Sequence, residues 1–416
     1  MKKSLPILKK PFDWRVLIAV VLFLNLAGYF LIPEILGVSR QKLFHFAGVA
    51  ALEFPFMDLR GVATWCEAAA SGIDPAVTQT TITLPDGTRQ PNFLMNYSPA
   101  VVWFYWLGLR PATVWMWAPA LIALQILAVL GLSGRVSCRQ AIVWAFLVCS
   151  PASLLVMERA NMDILVFALF VSALLLRRYP WAALAPILLA AGLKFYPAAA
   201  LAALWSRGGI RQRLAAVGGL VIFLGILFLL KSQLAGIGAS LSGQYQSAFG
   251  SNVVADLLKN HTVCSESAAG FLSITLQIAA IGAGLLSCGM GFLLSKKWPM
   301  EVTERAIYSF WLAAPMFAIL FILSNHMDYK WIFLLFMVPA VLQLWDGKFP
   351  LWSVTSKIWL AAVCTYSYWT FFSGEESLRN AIFKQGVMWL VFVASSLLCG
   401  ALLARMPGFL KKGEVS

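Results

Sequence analysis

The chain is poor in charge. Of its 416 residues only 12% are Asp, Glu, Lys or Arg, about half the share of an ordinary soluble domain. Acidic residues are scarce, 18 against 32 Lys plus Arg, and there are three histidines. No Asp-x-Asp pair occurs and the seven cysteines show no metal-ligand spacing, so the patterns of a zinc or paired-carboxylate metal site are missing. Heptads, low-complexity tracts and internal repeats are missing too, which argues against coiled-coil and solenoid organisation. The dyad alternation of a transmembrane barrel is also missing.

Apolar residues are abundant, at 60% of the chain, and mean hydropathy is +0.79. They come in blocks of about 20, the length that spans a hydrocarbon core. Backbone in such a core must satisfy its own hydrogen bonds, so the blocks read as helices. Hydropathy predicts about twelve spans. They cover residues 14–36, 97–109, 112–132, 141–157, 162–176 and 181–205, then 214–230, 268–294, 306–323, 331–344, 352–372 and 381–404. The expected fold is a single all-α, polytopic transmembrane helix bundle over residues 1–416.

Lys and Arg set the expected orientation. Lys2, Lys3, Lys9, Lys10 and Arg15 mark the amino end, and Arg405, Lys411 and Lys412 the carboxyl end. Arg207, Arg211 and Arg213 form one basic loop, and Lys296 and Lys297 another. An even count puts all of these on the cytoplasmic side of the cell membrane, both termini included. The net charge of +14 then reads as an orientation signal and contact with anionic membrane lipids, not a nucleic-acid footprint. Arg135 with Arg139, and Arg177 with Arg178, dissent by falling outside. The first apolar block is too long for a cleaved leader and reads as an anchor. Cys66 and Cys264 fall in expected external loops as a disulfide pair to be tested.

The first external loop, residues 37–96, is the informative one, because loops of this length are usually functional. Residues 41–52 and 59–70 each have helical spacing with one apolar face, so two short interfacial helices are expected. Ser71-Gly72-Ile73-Asp74-Pro75 reads as a stop and turn, and residues 80–89 as a hairpin around Asp86-Gly87. Asp58 is wedged among Phe54, Pro55, Phe56, Met57 and Leu59. A carboxylate in such a place is costly without a partner or a task, and Arg60 is the nearest partner in sequence. Loop polarity alone explains Asp86, Glu375 and Glu376 adequately.

Further on, Glu158-Arg159-Ala160-Asn161-Met162-Asp163 interrupts two apolar blocks. Lys194 lies inside the block 181–205, either as a functional intramembrane charge or as a side chain snorkelling to the interface. Phe195-Tyr196-Pro197 beside it fits a helix break. Ser324 to Lys330 packs polar and titratable groups, including His326 and Asp328, between two spans, where a merely solvated turn is the plain alternative.

These segments, in this order, resemble the GT-C superfamily of membrane glycosyltransferases, and most of all glycosyltransferase family 87. The matching elements are Asp58, the turn Gly72-x-Asp74-Pro75, the Tyr97-x-Pro99 opening of the second span and the break Arg159-x-Asn161. Lys194-x-Tyr196-Pro197 and a late His326 follow. The match covers the first half of the chain; past Arg213 only hydropathy and His326 carry it. Ser98 stands where the family often has a first proline, and Glu158-Arg159-Ala160 where it often has Gly-Gln before the Asn-containing break.

The resemblance implies an external (periplasmic) active site of a cell-envelope enzyme. There a polyprenyl-phosphate sugar, mannose or a similar hexose or pentose, is transferred with inversion to a lipid or glycan acceptor. It implies Asp58 as the base, with His326 and the cations Arg60, Arg159 and Lys194 near the leaving phosphate. Tyr97, Asn161 and Tyr196 would complete the substrate site. No cofactor is expected, and Glu53 with Asp58 is the thin carboxylate set left open for a divalent metal. The rival class is a multi-pass transporter or lipid-linked glycan flippase, for which broken helices and Lys194 would line a pathway. Another GT-C branch or a polymer ligase would instead use the late loop 232–267, through Asp256, His261 and Glu266.

Overall fold

The computed structural model describes residues 13–49, 51–230, 248–323, 326–369 and 378–405, leaving aside the side chains of residues 326–329. The terminal lysines, residues 232–247 of the late loop, Ser324, Asn325, Glu375 and Glu376 lie outside this range.

The described chain is helical nearly throughout. It begins with α1 (Arg15–Leu36), α2 (Arg40–Phe46) and α3 (Met57–Ala70), followed by a hairpin of β1 (Thr81–Thr83) and β2 (Arg89–Pro91). Two 3₁₀ helices, Pro99–Tyr105 and Pro111–Thr113, lead into α4 (Val114–Ser133). Next come α5 (Cys138–Val148), α6 (Pro151–Glu158), α7 (Asp163–Leu175) and α8 (Pro180–Leu193). A 3₁₀ turn, Tyr196–Ala200, runs into α9 (Leu201–Trp205), and α10 (Ile210–Leu229) follows. The remainder is β3 (Ala248–Phe249), α11 (Val253–Asn260), α12 (Glu266–Lys297), α13 (Glu304–Leu323) and β4 (His326–Met327). After a 3₁₀ helix, Asp328–Phe336, the chain closes with α14 (Val338–Trp345), α15 (Pro350–Ser367) and α16 (Leu378–Leu403). The hairpin turns at Asp86-Gly87 as expected, with Gly87 at φ 84°.

Six helices among the described residues are long and apolar enough to cross a membrane: α1, α4 with the turn ahead of it, α10, α12, α13 and α16. The pair α5 and α6, bent by 54° at its break, would make a seventh. The chain is a multi-pass, all-α membrane bundle. The expected dozen is not reached by helix length, for reasons visible at two places. Residues 97–109 hold only the seven-residue 3₁₀ helix Pro99–Tyr105, which rises about 14 Å and cannot span a hydrocarbon core. The window 181–205 is broken instead of continuous. Lys194 is extended, at φ −143° and ψ 139°, and Pro197 has no N–H to carry α8 onward. The chain reverses there, so that Arg207 beyond α9 donates to the Arg177 carbonyl ahead of α8.

This reversal corrects the expected sidedness. Arg177 and Arg178 share an end of the bundle with Arg207 and do not oppose it. Arg207 also pairs with Glu304, Arg305 donates to the carbonyls of Gly131 and Leu132, and Arg139 pairs with Asp346 at 3.2 Å. The Arg135–Arg139 segment thus joins the same basic end. The expected Cys66–Cys264 bridge is corrected as well. Both thiols are free, because α3 is turned so that the Cys66 thiol points at the Val101 carbonyl, 3.4 Å away, and ties α3 to the 3₁₀ helix.

The tightest helix pair is α12 with α16. A Cβ on Gly291 would strike the Leu397 carbonyl, and one on Gly400 the Cys288 carbonyl. Glycine there lets two backbones touch, the device membrane helices use where hydrophobic burial gives no drive. Gly400→Val should therefore lose about 1–3 kcal/mol of stability, read as a lower unfolding temperature in detergent. Gly282→Ala on α12, where nothing lies within 4 Å, should leave it unchanged.

Candidate functional site at a broken-helix junction

The site grows from the end of α6. Pro151 starts that helix without an N–H to lose, and it ends eight residues later. Asn161 N–H donates to the Val156 carbonyl at 3.1 Å and Ala160 N–H to that of Met157 at 3.0 Å, the paired bonds of a Schellman stop. Ala160 takes the left-handed position, φ 46°, normally given to glycine. That stop leaves the last carbonyls of α6 pointing outward. Phe56 N–H meets the Glu158 carbonyl at 2.9 Å and Leu59 N–H that of Arg159 at 3.4 Å. The N-terminus of α3 is thus capped by the C-terminus of α6, each supplying what the other lacks. Phe56 is itself left-handed, φ 64°, so two non-glycine residues hold strained backbone at one junction.

Asp58 lies in the first turn of α3, where the helix dipole favours a carboxylate. Its Oδ2 accepts from Asn161 Nδ2 at 2.6 Å, and its Oδ1 faces Arg159 at 3.5 Å. Arg60, the expected partner, is not one. Its Nε donates to the Pro55 carbonyl at 3.2 Å, because two residues along a helix point about 200° apart. Burial lowers the pKa of Arg60 from the ordinary guanidinium value.

Asn161 is the hub. Its Oδ1 accepts from Asp163 N–H at 2.9 Å, Lys194 Nζ at 3.3 Å and Tyr97 Oη at 3.4 Å. Three donors on one oxygen leave the amide nitrogen to face Asp58, which settles the side-chain orientation. Lys194 Nζ also meets Asp163 Oδ1 at 2.6 Å and sits 4.3 Å over the Tyr97 ring. Tyr196 donates to the same Asp163 oxygen. Glu158, fully buried, lies between Arg40 at 3.1 Å and Arg159 at 3.3 Å. Arg40 reaches on to the carbonyls of Leu52 and Glu53 and so braces the loop ahead of α3. Lys330 adds an ammonium 5.0 Å over the Tyr196 ring.

The structure thus brings together Asp58, Tyr97, Arg159, Asn161, Lys194 and Tyr196, residues 58 to 196 in sequence. Arg60 is beside them but turned away. The strand of His326 pairs with Phe249 and leads into Lys330; its imidazole lies outside the described residues. Asp163, Glu158 and Arg40 belong to the cluster without having been singled out for a role. Two of the three are acids inside an apolar chain with 18 acids in all, a signal that marked the break at 158–163 without saying which member did what. Among the late-loop residues, His261 is exposed and Glu266 pairs with Lys259 on the surface. Among the described residues, no three His, Cys, Asp or Glu side chains are placed to share a metal ion.

The core of the cluster, Glu158, Asn161, Asp163 and Lys194, is buried. Gly131 of α4 packs on Val171 of α7, so the two helices share a level near the basic end. From that level, at about 1.5 Å per residue, α4 runs on about 25 Å to Val114 and α7 about 12 Å to Asp163, so α7 stops about 13 Å short of the far end of α4.

Comparison with known protein families, curated proteins and solved structures finds no match.

The Lys194–Asp163 pair is nearly sealed, with side-chain exposures of 9% and 0%. Lys194→Met should strand the Asp163 charge and cost about 3–5 kcal/mol, whereas Lys194→Met with Asp163→Leu should recover much of that. Thermal unfolding of the three variants in one detergent checks this.

Proposed function

We propose that the chain is a membrane glycosyltransferase of GT-C type, similar to family 87. It would move mannose or a similar sugar from a polyprenyl-phosphate donor to a lipid or glycan acceptor. One observation carries the reading. Of the three carboxylates in the cluster, Asp58 alone is accessible, at 23% side-chain exposure against 0% for Glu158 and Asp163. A base must reach its substrate, and here only one can.

In the transfer, the acceptor oxygen bonds to the anomeric carbon from the face opposite the phosphate. The carbon–oxygen bond to phosphate breaks, and its electron pair leaves with the polyprenyl phosphate. The acceptor proton passes to Asp58, whose Oδ2 is held by Asn161 while Oδ1 has the longer contact with Arg159. A carboxylate at hydrogen-bond distance is enough for this step. Charge growing on the departing phosphate calls for fixed donors, and Arg159, partly exposed beside Asp58, is the cation placed to supply them. Lys194, bound by Asp163, positions Asn161 and Tyr97 instead.

The expected total of twelve crossings is reached by another route if the short helices cross where the bundle is thin. The crossings are then α1, α4, α5 with α6, α7, α8, residues 196–205, α10, α12, α13, residues 328–345, α15 and α16. Both termini and the basic end are then cytoplasmic, and the cluster is external. Native thiols test this. A membrane-impermeant maleimide on intact cells should label Cys264, and should label exposed Cys138 only after permeabilisation. The opposite pattern would invert the topology.

For activity, the purified protein in liposomes is given radiolabelled polyprenyl-phosphate sugars and a membrane lipid extract. Wild type should form glycosylated product, and Asp58→Asn should lose about 10²–10⁴-fold in rate with an unchanged unfolding temperature. Near-normal transfer by Asp58→Asn would refute the base assignment. Flipping of those lipids without transfer would favour the transporter, the reading to which the broken helices also lend themselves.

A further inference from the structure

At the basic end, opposite the cluster, a cavity of about 440 Å³ opens where α10, α13 and α16 converge. Ser206, Arg207, Gln212, Glu304 and Arg405 give it polar walls, and Val302, Ile307 and Leu402 an apolar side. Arg207 is largely buried, fixed by Glu304 and by the Arg177 carbonyl, whereas Arg405 is exposed at the rim. Arg305 lies within electrostatic reach of Arg177 and Arg15, so like charges crowd here. Glu304 is the one carboxylate among the lining residues.

Behind the wall, next to Ile307, stands Tyr308, fully buried, whose hydroxyl has no hydrogen-bond partner among the described residues. The arginines Arg207 and Arg177 are within electrostatic reach of it. Two guanidiniums against one carboxylate on the cavity wall mark a place where an oxygen-rich anion is favourable. Ile210 and Leu214 of α10, close in sequence to Arg207 and Gln212 of the wall, are exposed and give the nearby surface an apolar face.

We propose that this cavity holds the phosphate headgroup of an anionic lipid drawn from the leaflet at the basic end. Arg207 and Arg405 grip the phosphate, Gln212 donates to its oxygens, Ser206, whose own proton goes to the Ala203 carbonyl, accepts from the glycerol hydroxyl, and the acyl chains descend past Leu402 and Ile307. This stands apart from any transfer reaction, since it uses none of the cluster residues.

Native mass spectrometry of the full chain, released from nanodiscs, counts bound phosphatidylglycerol against phosphatidylcholine. Wild type should retain phosphatidylglycerol selectively. Arg405→Glu should weaken that retention roughly tenfold with unchanged unfolding temperature. Glu304→Gln, which frees Arg207 from competition, should strengthen it. Lys296→Glu with Lys297→Glu, on the same end but outside the cavity, should leave it unaltered. An equal loss in that lysine variant would assign the effect to diffuse surface charge and overturn the proposal. Equal binding of phosphatidylcholine would overturn it too. So would displacement of phosphatidylglycerol by glycerol phosphate at matching concentration, which would make the ligand a soluble phosphate.

Discussion

The head-to-tail meeting of α6 with α3 positions everything else in the site. A helix end carries backbone groups that its own ladder cannot satisfy, and in a chain this apolar water is a scarce partner. The carbonyls of Glu158 and Arg159 and the amides of Phe56 and Leu59 solve that problem for one another. Once they do, Asp58 and Asn161 lie face to face across the junction, whatever substrate arrives. The left-handed Ala160 and Phe56 are the cost of this arrangement, of order 1–3 kcal/mol each, and the packing around them must hold them there.

From Asn161 the network divides into two kinds of charge. Asp163 with Lys194, and Glu158 with Arg40 and Arg159, are buried pairs whose Coulomb gain is offset by desolvation. They add little net stability, but they allow few geometries, which is what a site needs from its supporting groups. Asp58 is different. It is held from one side by Asn161 and keeps part of its surface open, so it can serve as an acceptor of protons while its neighbours stay fixed.

Helix length decides where this happens. Long helices such as α4 and α13 set the thickness of the bundle, while α7 and α8 stop short and turn. A polar break inside a full-length span would leave charges facing lipid, at several kcal/mol each. Here the break falls where short helices end and meet α3, and its charges are buried against one another. At the opposite end, arginines gather where the helices begin and end, and their mutual repulsion there is relieved by Glu304, Asp346 and carbonyl groups.

Much of this was legible in the sequence. Composition and block length led to the all-α membrane bundle, because hydrocarbon permits few backbones. Scarcity made Asp58, Asn161 and Lys194 conspicuous, because a polar group survives in an apolar block only with a partner or a use. Their partners were not legible. Arg60 is two residues from Asp58 and points away, whereas Asn161 is 103 residues off and touches it. Which apolar windows are continuous and which basic segments share an end also escaped, because hydropathy weighs residues without sensing that Pro197 reverses the chain or that residues 97–109 form only a short 3₁₀ helix. Periodicity and composition are local sums, which the sequence alone determines. Which helix ends meet and which carboxylate stays open are decided by contacts between residues far apart, and only the tertiary structure holds those.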